Sequence, residues 1–202
     1  MSDNNIETKV VRIGLLGDSK VGKSAICNAF TGVEFASESI TTIGSDKFEK
    51  KIQLSNNKEI KLCLWDTAGQ ERFRSAAFST IKSVHGIVLV FDVSSKESFN
   101  NINLWLNDIK DNFEDPCLVL FGNKVDKPKE EWQITDEEIK ALAKQKNLAY
   151  FGTSAKENIG IDEGLAHIAN DAYQKLLKKK EPEKKDVVEL GKGGPVKKKK
   201  CC

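Results

Sequence analysis

The run Gly17-Asp18-Ser19-Lys20-Val21-Gly22-Lys23-Ser24 places two glycines, a lysine and a hydroxyl at a spacing suited to holding polyphosphate oxygens. Gly17 and Gly22 let the backbone bend close to a diphosphate. Successive N–H groups, with the N-terminus of a following helix, then form an anion site. Lys23 is the natural contact to the β and γ phosphates, and Ser24 can put its hydroxyl on Mg²⁺. A glycine-containing turn that binds nothing is the plain alternative. It explains a degenerate pattern better than this one, in which every fixed position is met. A second stretch, Trp65-Asp66-Thr67-Ala68-Gly69-Gln70-Glu71, puts a carboxylate at a strand end, followed by glycine. That order would bring Asp66 near a metal and the Gly69 N–H near a γ-phosphate.

These residues need elements to hold them. Residues 9–16 read as a strand, and the phosphate loop and a helix to about Thr31 follow. Residues 32–46 are rich in Ser and Thr without clear periodicity, a candidate mobile loop beside the site. Strands are expected over 48–54 and 59–64, joined by a tight hairpin at Ser55-Asn56-Asn57-Lys58, since Asn tolerates positive φ. Residues 86–91 are nearly all apolar or β-branched, as a strand buried on both faces should be. Ser94 or Ser95 can cap a helix through Phe113, with Phe99, Ile102, Trp105, Leu106 and Ile109 as its buried stripe. Further strands are expected over 117–121 and 148–151. A capping box at Thr135 starts a helix to about Lys146, and a last helix spans about 161–179. Alternating strands and helices of this kind describe a doubly wound α/β domain. Its ligand should lie beyond the carboxyl ends of the strands, where the loops after Leu16, Trp65, Phe121 and Phe151 all fall.

A chain of 202 residues suits one domain and a tail. Residues 178–202 carry ten lysines against four acids, a net +6, so with +2 overall the first 177 residues carry −4. A mildly acidic domain with a basic end argues against a broad nucleic-acid-binding face and fits a tail directed at an anionic surface. No apolar run reaches membrane-spanning length, and residues 1–9 lack a signal-peptide core. Cys27, Cys63 and Cys117 are isolated, with neither disulfide nor zinc spacing, which points to a reducing compartment. The expected organisation is a flexible 1–7, a folded 8–179 and a disordered 180–202. In the last segment Val187, Val188 and Leu190 form a small apolar patch, either a docking point or incidental aliphatics.

With these motifs in place, the sequence resembles the Ras-like small GTPases and, among them, the Rab branch. The resemblance covers about residues 8–179 plus the terminal cysteines. Trp65 through Arg74 matches the Rab form nearly letter for letter. Asn123-Lys124-Val125-Asp126 matches the guanine-specificity motif, Ser154-Ala155-Lys156 the supporting base loop, and Thr41-Thr42-Ile43-Gly44 the first switch. The resemblance implies a P-loop NTPase domain with a mostly parallel six-stranded sheet, one antiparallel strand and helices on both faces. It also implies GTP/GDP and Mg²⁺ as ligands. Asp18, Ser19, Lys20 and Val21 complete the phosphate-binding set with Gly17, Gly22, Lys23, Ser24, Thr42 and Gly69. Asp126 would accept from the guanine N1 and amine, and Asn123 would join the base side to the phosphate loop. The Lys124 stem and Phe35 would cover the two faces of the base, and the Ala155 N–H would donate to guanine O6, with Ser154 and Lys156 shaping that loop. Ser24 and Thr42 would ligate Mg²⁺ directly and Asp66 through water, while Gln70 would orient the attacking water. No arginine stands in the first switch to act in cis, so hydrolysis should be slow until a partner accelerates it.

The family's partners follow as expectations: an exchange factor, a GTPase-activating protein, a GDP-dissociation inhibitor, an escort protein with prenyltransferase, and effectors. Lys197 to Lys200 followed by Cys201-Cys202 resembles the geranylgeranylated double-cysteine ending. Two lipids beside four lysines would anchor the chain, otherwise a monomer, to the cytosolic face of an anionic intracellular membrane. The chain also departs from the Rab pattern. After Ile43 and Gly44 come Ser45, Asp46 and Lys47, with lysine where an aromatic of the effector-facing triad belongs; Trp65 remains. Thr80 and Ile81 replace a tyrosine pair, and Phe78 is out of register with it. Ile43, Lys47 and Trp65 would therefore present a less apolar effector surface, fitted to unusual partners in vesicle traffic. Two other readings stay open: a membrane-anchored GTP-binding adaptor that hardly cycles, and a nucleic-acid-associated GTPase, which the acidic domain disfavours.

Overall fold

The computed structural model describes residues 9–35, 45–67 and 74–180. Within them, β1 (Val10–Leu16) leads through the glycine-bounded loop into α1 (Lys23–Thr31). Next come β2 (Ser45–Gln53), β3 (Glu59–Thr67), α2 (Arg74–Thr80) and β4 (Gly86–Asp92). They are followed by α3 (Lys96–Asn100), α4 (Ile102–Asn112), β5 (Cys117–Asn123), α5 (Asp136–Lys146), β6 (Ala149–Thr153) and α6 (Ile161–Lys180). The sheet is six-stranded in the order β2-β3-β1-β4-β5-β6. All pairings are parallel except β2 with β3, so β2 is the single antiparallel strand and lies at an edge.

Side chains alternate across a strand, and the core divides accordingly. Val11, Ile13, Leu15, Val88 and Val90 point to one face, where Ile26, Cys27 and Phe30 of α1 and Leu165, Ile168 and Ala172 of α6 cover them. Leu16, Ile87, Leu89 and Phe91 point to the other, against Phe78 of α2, Trp105 and Ile109 of α4, and Ile139 of α5. Each large aliphatic or aromatic side chain fully buried this way contributes about 1.5–3 kcal/mol. The sheet's doubly wound form follows from β4, whose seven residues are all buried because helices lie on both sides.

Local signals explain most of the boundaries. Asn57 takes φ 58° in the β2–β3 turn, as its tolerance of positive φ suggested. Thr135 and Glu138 exchange both bonds of the capping box, and Asn147 closes α5 at φ 52°. Two expectations needed correction. The helix expected from a cap at Ser94 or Ser95 through Phe113 is two helices, capped by Ser95 and broken at Asn101. The strands β2 and β3 also run further toward the site than expected: Ser45 pairs with Thr67 and Asp46 with Asp66. Backbone pairing carries those polar residues in the sheet, although they have no apolar alternation.

Thr42, Ile43, Gly69, Gln70, Cys201 and Cys202, and the tail expected from residue 180 onward apart from the end of α6, lie outside the described residues.

Candidate functional site

The carboxyl ends of β1, β3, β4, β5 and β6 converge on the loop from Gly17 to Ser24. Gly17 (φ 147°) and Gly22 (φ 99°) take backbone angles that suit glycine, and both are packed from behind as well. A Cβ on Gly17 would stand 2.1 Å from the Val90 carbonyl oxygen, and one on Gly22 2.3 Å from Asn123 Nδ2. The glycines thus seat the loop on its neighbours and leave its N–H groups for a ligand. Lys20 also adopts a left-handed conformation, φ 65°, an uncommon angle for a long side chain.

Lys23 is 5% exposed, and its Nζ donates to the carbonyls of Gly17 (2.9 Å) and Asp18 (2.8 Å). Burial lowers its pKa to about 8, against the opposing pull of the Asp66 and Asp18 carboxylates. The Ser24 hydroxyl donates to the Asp66 carboxylate, so the first turn of α1 and the end of β3 meet at two oxygen donors. A hydroxyl and a carboxylate side by side suit a hard cation such as Mg²⁺. Among the described residues, no group of three or more His, Cys, Asp or Glu side chains could hold a metal. A cation beside Ser24 would therefore take further ligands from phosphate oxygens or water.

Next to the loop lies a cleft of about 260 Å³. It brings together Lys20, Gly22, Phe35, Asn123, Lys124, Asp126, Ala155 and Lys156, residues drawn from four separate stretches of sequence. Asn123 Nδ2 donates to the Val21 carbonyl (2.8 Å), and Lys124 Nζ to the Lys20 carbonyl (2.8 Å). The last residue of β5 and the one that follows it thus clasp the phosphate loop. Ser154, fully buried, donates through its hydroxyl to Asp126 Oδ1 at 2.6 Å and orients that carboxylate toward the cleft. Phe35 is 46% exposed, an open wall. Lys156 Nζ faces Glu157 at 3.6 Å, so its charge points along the rim.

Sequence reasoning missed Asp92 at the end of β4. Its Oδ2 takes Lys124 Nζ at 2.6 Å, and its Oδ1 accepts from the Ser94 N–H and hydroxyl. Burial opposes ionisation of Asp92, but the hydrogen bonds from Lys124 and Ser94 outweigh it and hold the carboxyl below its ordinary range. The strand-end rule applied to β4 would have flagged a carboxylate there, but not its partnership with Lys124. The Asp18 carboxylate, within the loop expected to bind phosphates through its N–H groups, turns back to the α3–α4 junction and accepts from Asn101 and Trp105. On the opposite arm, Lys47 stands 5.9 Å over the Trp65 ring and is ion-paired to Glu49. Ile81 is fully buried over Gly14, and Phe78 packs between Trp105 and Phe113, so neither replaces a surface aromatic.

A doubly wound sheet with this loop at the end of β1 defines a P-loop nucleoside triphosphatase fold. Comparison with known proteins narrows the class. The sequence model described as "Ras family" matches residues 11–174. The GTP-binding protein yptV2 of Volvox carteri is 35% identical, over 96% of this chain and 94% of its own. Ras-related protein Rab-10 of Diplobatis ommata is 38% identical, over 93% of both chains. Ras-related protein RAB1BV of Beta vulgaris is 39% identical, over 83% of this chain and 78% of its own. The chain belongs to the Ras family and is a Rab-like small GTPase, a class of GTP hydrolases.

Proposed function

We propose that this chain is a lipid-anchored GTP/GDP switch that controls vesicle traffic from the cytosolic face of an intracellular membrane. The observation that carries the nucleotide part is the clasp of Asn123 and Lys124 on the phosphate loop. It ties the cleft to the loop, so that a base in the one and phosphates on the other would belong to a single ligand.

In this reading Asp126, held by Ser154, reads the guanine edge, with the Ala155 N–H on O6. The Lys124 stem and Phe35 enclose the ring. Lys23 and the N–H groups from Gly17 to Ser24 bind the phosphates. Ser24 and Thr42 would hold Mg²⁺ directly and Asp66 through water, and the ion would neutralise charge on the phosphate oxygens. Thr42 and Gly69 sense the γ-phosphate, and Gln70 orients the water that attacks it. The folded domain is assigned to 8–179 and the anchor to Cys201 and Cys202. Among the described residues no helix is long and apolar enough to cross a membrane. Exchange factor, GTPase-activating protein, GDP-dissociation inhibitor, escort protein with prenyltransferase, and effectors complete the cycle.

The deciding experiment is single-turnover GTP hydrolysis by the purified chain with Mg²⁺, beside Gln70→Leu. Slow hydrolysis that falls further in the variant supports a cycling switch. Equal rates in the two proteins would remove Gln70 from its role and favour a non-cycling adaptor.

A further inference from the structure

A carboxylate inside a loop built for anions is a liability unless it is turned away. In this chain Asp18 is turned away and held at both oxygens. Asn101 Nδ2 donates to Oδ2 at 2.7 Å, and Trp105 Nε1 donates to Oδ1 at 2.8 Å. The same residue offers its carbonyl to Lys23 Nζ. One residue therefore ties the phosphate-loop lysine to the start of α4. The helix break at Asn101 belongs to this arrangement, since Asn101 stands between α3 and α4 with its side chain on the loop.

Trp105 also meets α2. It is 1% exposed, and its ring centroid lies 6.2 Å from that of Phe78, which in turn lies 5.9 Å from Phe113. Interiors are close-packed, so a shift of α2 that moves Phe78 must displace Trp105 or open a void. The indole cannot be displaced without loading its N–H bond to Asp18.

We propose that Asp18 is a positioning residue for the phosphate loop and that Trp105 couples it to α2. One indole holds the loop through its N–H and the helix through its ring, so a partner that pushes α2 loosens the bound nucleotide. The inference rests on the GTP/GDP reading above and deepens it by naming a route for its regulation. It also accounts for the aromatic at position 78: Phe78 serves the interior contact and not the partner-facing surface.

The test is a double-mutant cycle on the full chain, loaded with GDP that carries a fluorescent N-methylanthraniloyl group and chased with unlabelled GDP in Mg²⁺. Asp18→Asn keeps the shape and removes the charge, and should speed release roughly tenfold or more. Phe78→Leu should speed it a few-fold. In the double variant the two effects should fall short of their product by about threefold. Trp105→Phe, which keeps a ring and loses the N–H, is the second variant should Asp18→Asn fold poorly, and it should reproduce the faster release. Ile109→Val, buried in the same helix, is the control and should lower thermal stability without speeding release. Multiplicative effects of Asp18→Asn and Phe78→Leu would overturn the coupling. Unchanged release in both Asp18→Asn and Trp105→Phe, or equal acceleration by Ile109→Val, would overturn the positioning role. An unsubstituted chain that never retains GDP would instead overturn the nucleotide reading itself.

Discussion

At the residue scale, what matters is which polar groups are held and by what. Asp126 is aimed by a single hydroxyl, that of Ser154. Ser154→Ala should therefore weaken GDP binding about tenfold with little change in thermal midpoint, as titration calorimetry beside a melting curve would show. Asp92 gives a pH signature. Its folded pKa lies below the ordinary 3.8, so the native state binds the proton less readily than the unfolded chain. The stability from its bonds to Lys124 and Ser94 is full above that ordinary value and is lost as pH falls through the lower folded one. Melting curves recorded from about pH 6 down to 3 should show this slope, and Asp92→Asn should flatten it. Asn123, Lys124 and Asp126 were legible as one cluster because they stand within four positions at the end of β5 and line one cleft. Asp92 was not, because its partner Lys124 reaches it only through the pairing of Asp92 with Asn123 across β4 and β5. No local spacing encodes that register.

At the scale of elements, close approach decides more than propensity. Gly164 lets α6 lie on β5: a Cβ there would stand 2.5 Å from the ring of Phe121 and 3.0 Å from that of Phe151. Gly164→Ala should cost about 1–3 kcal/mol in a urea titration. The α5 capping box makes a smaller claim, about 1 kcal/mol lost in Thr135→Ala by the same measurement. The strands and helices could be read from period and caps, as β4 and α5 show. The break at Asn101 could not, since Phe99, Ile102 and Trp105 keep helical spacing across it. What interrupts the helix there is accompanied by a bond to a residue 83 positions away. The extended β2–β3 pairing escaped notice for a related reason, since Ser45 and Asp46 are held by backbone bonds that leave no mark on side-chain pattern.

At the scale of the whole molecule, charge is divided between a net −4 over residues 1–177 and +6 over 178–202. That division, with two terminal cysteines, leads to the prediction that prenylated chain floats with anionic vesicles while Cys201→Ser/Cys202→Ser stays behind. A membrane anchor would also concentrate copies of the chain in a plane, and there the free edge of the sheet becomes important. Strand β2 leaves one side of nine residues unpaired by any other described strand, an invitation to strand-to-strand association between neighbours. Its sequence answers with charge, Asp46, Lys47, Glu49, Lys50 and Lys51, whose hydration two crowded edges would have to disturb in order to pair. The lysine that costs this surface an aromatic would then keep densely anchored copies apart, trading a hydrophobic handle for colloidal independence.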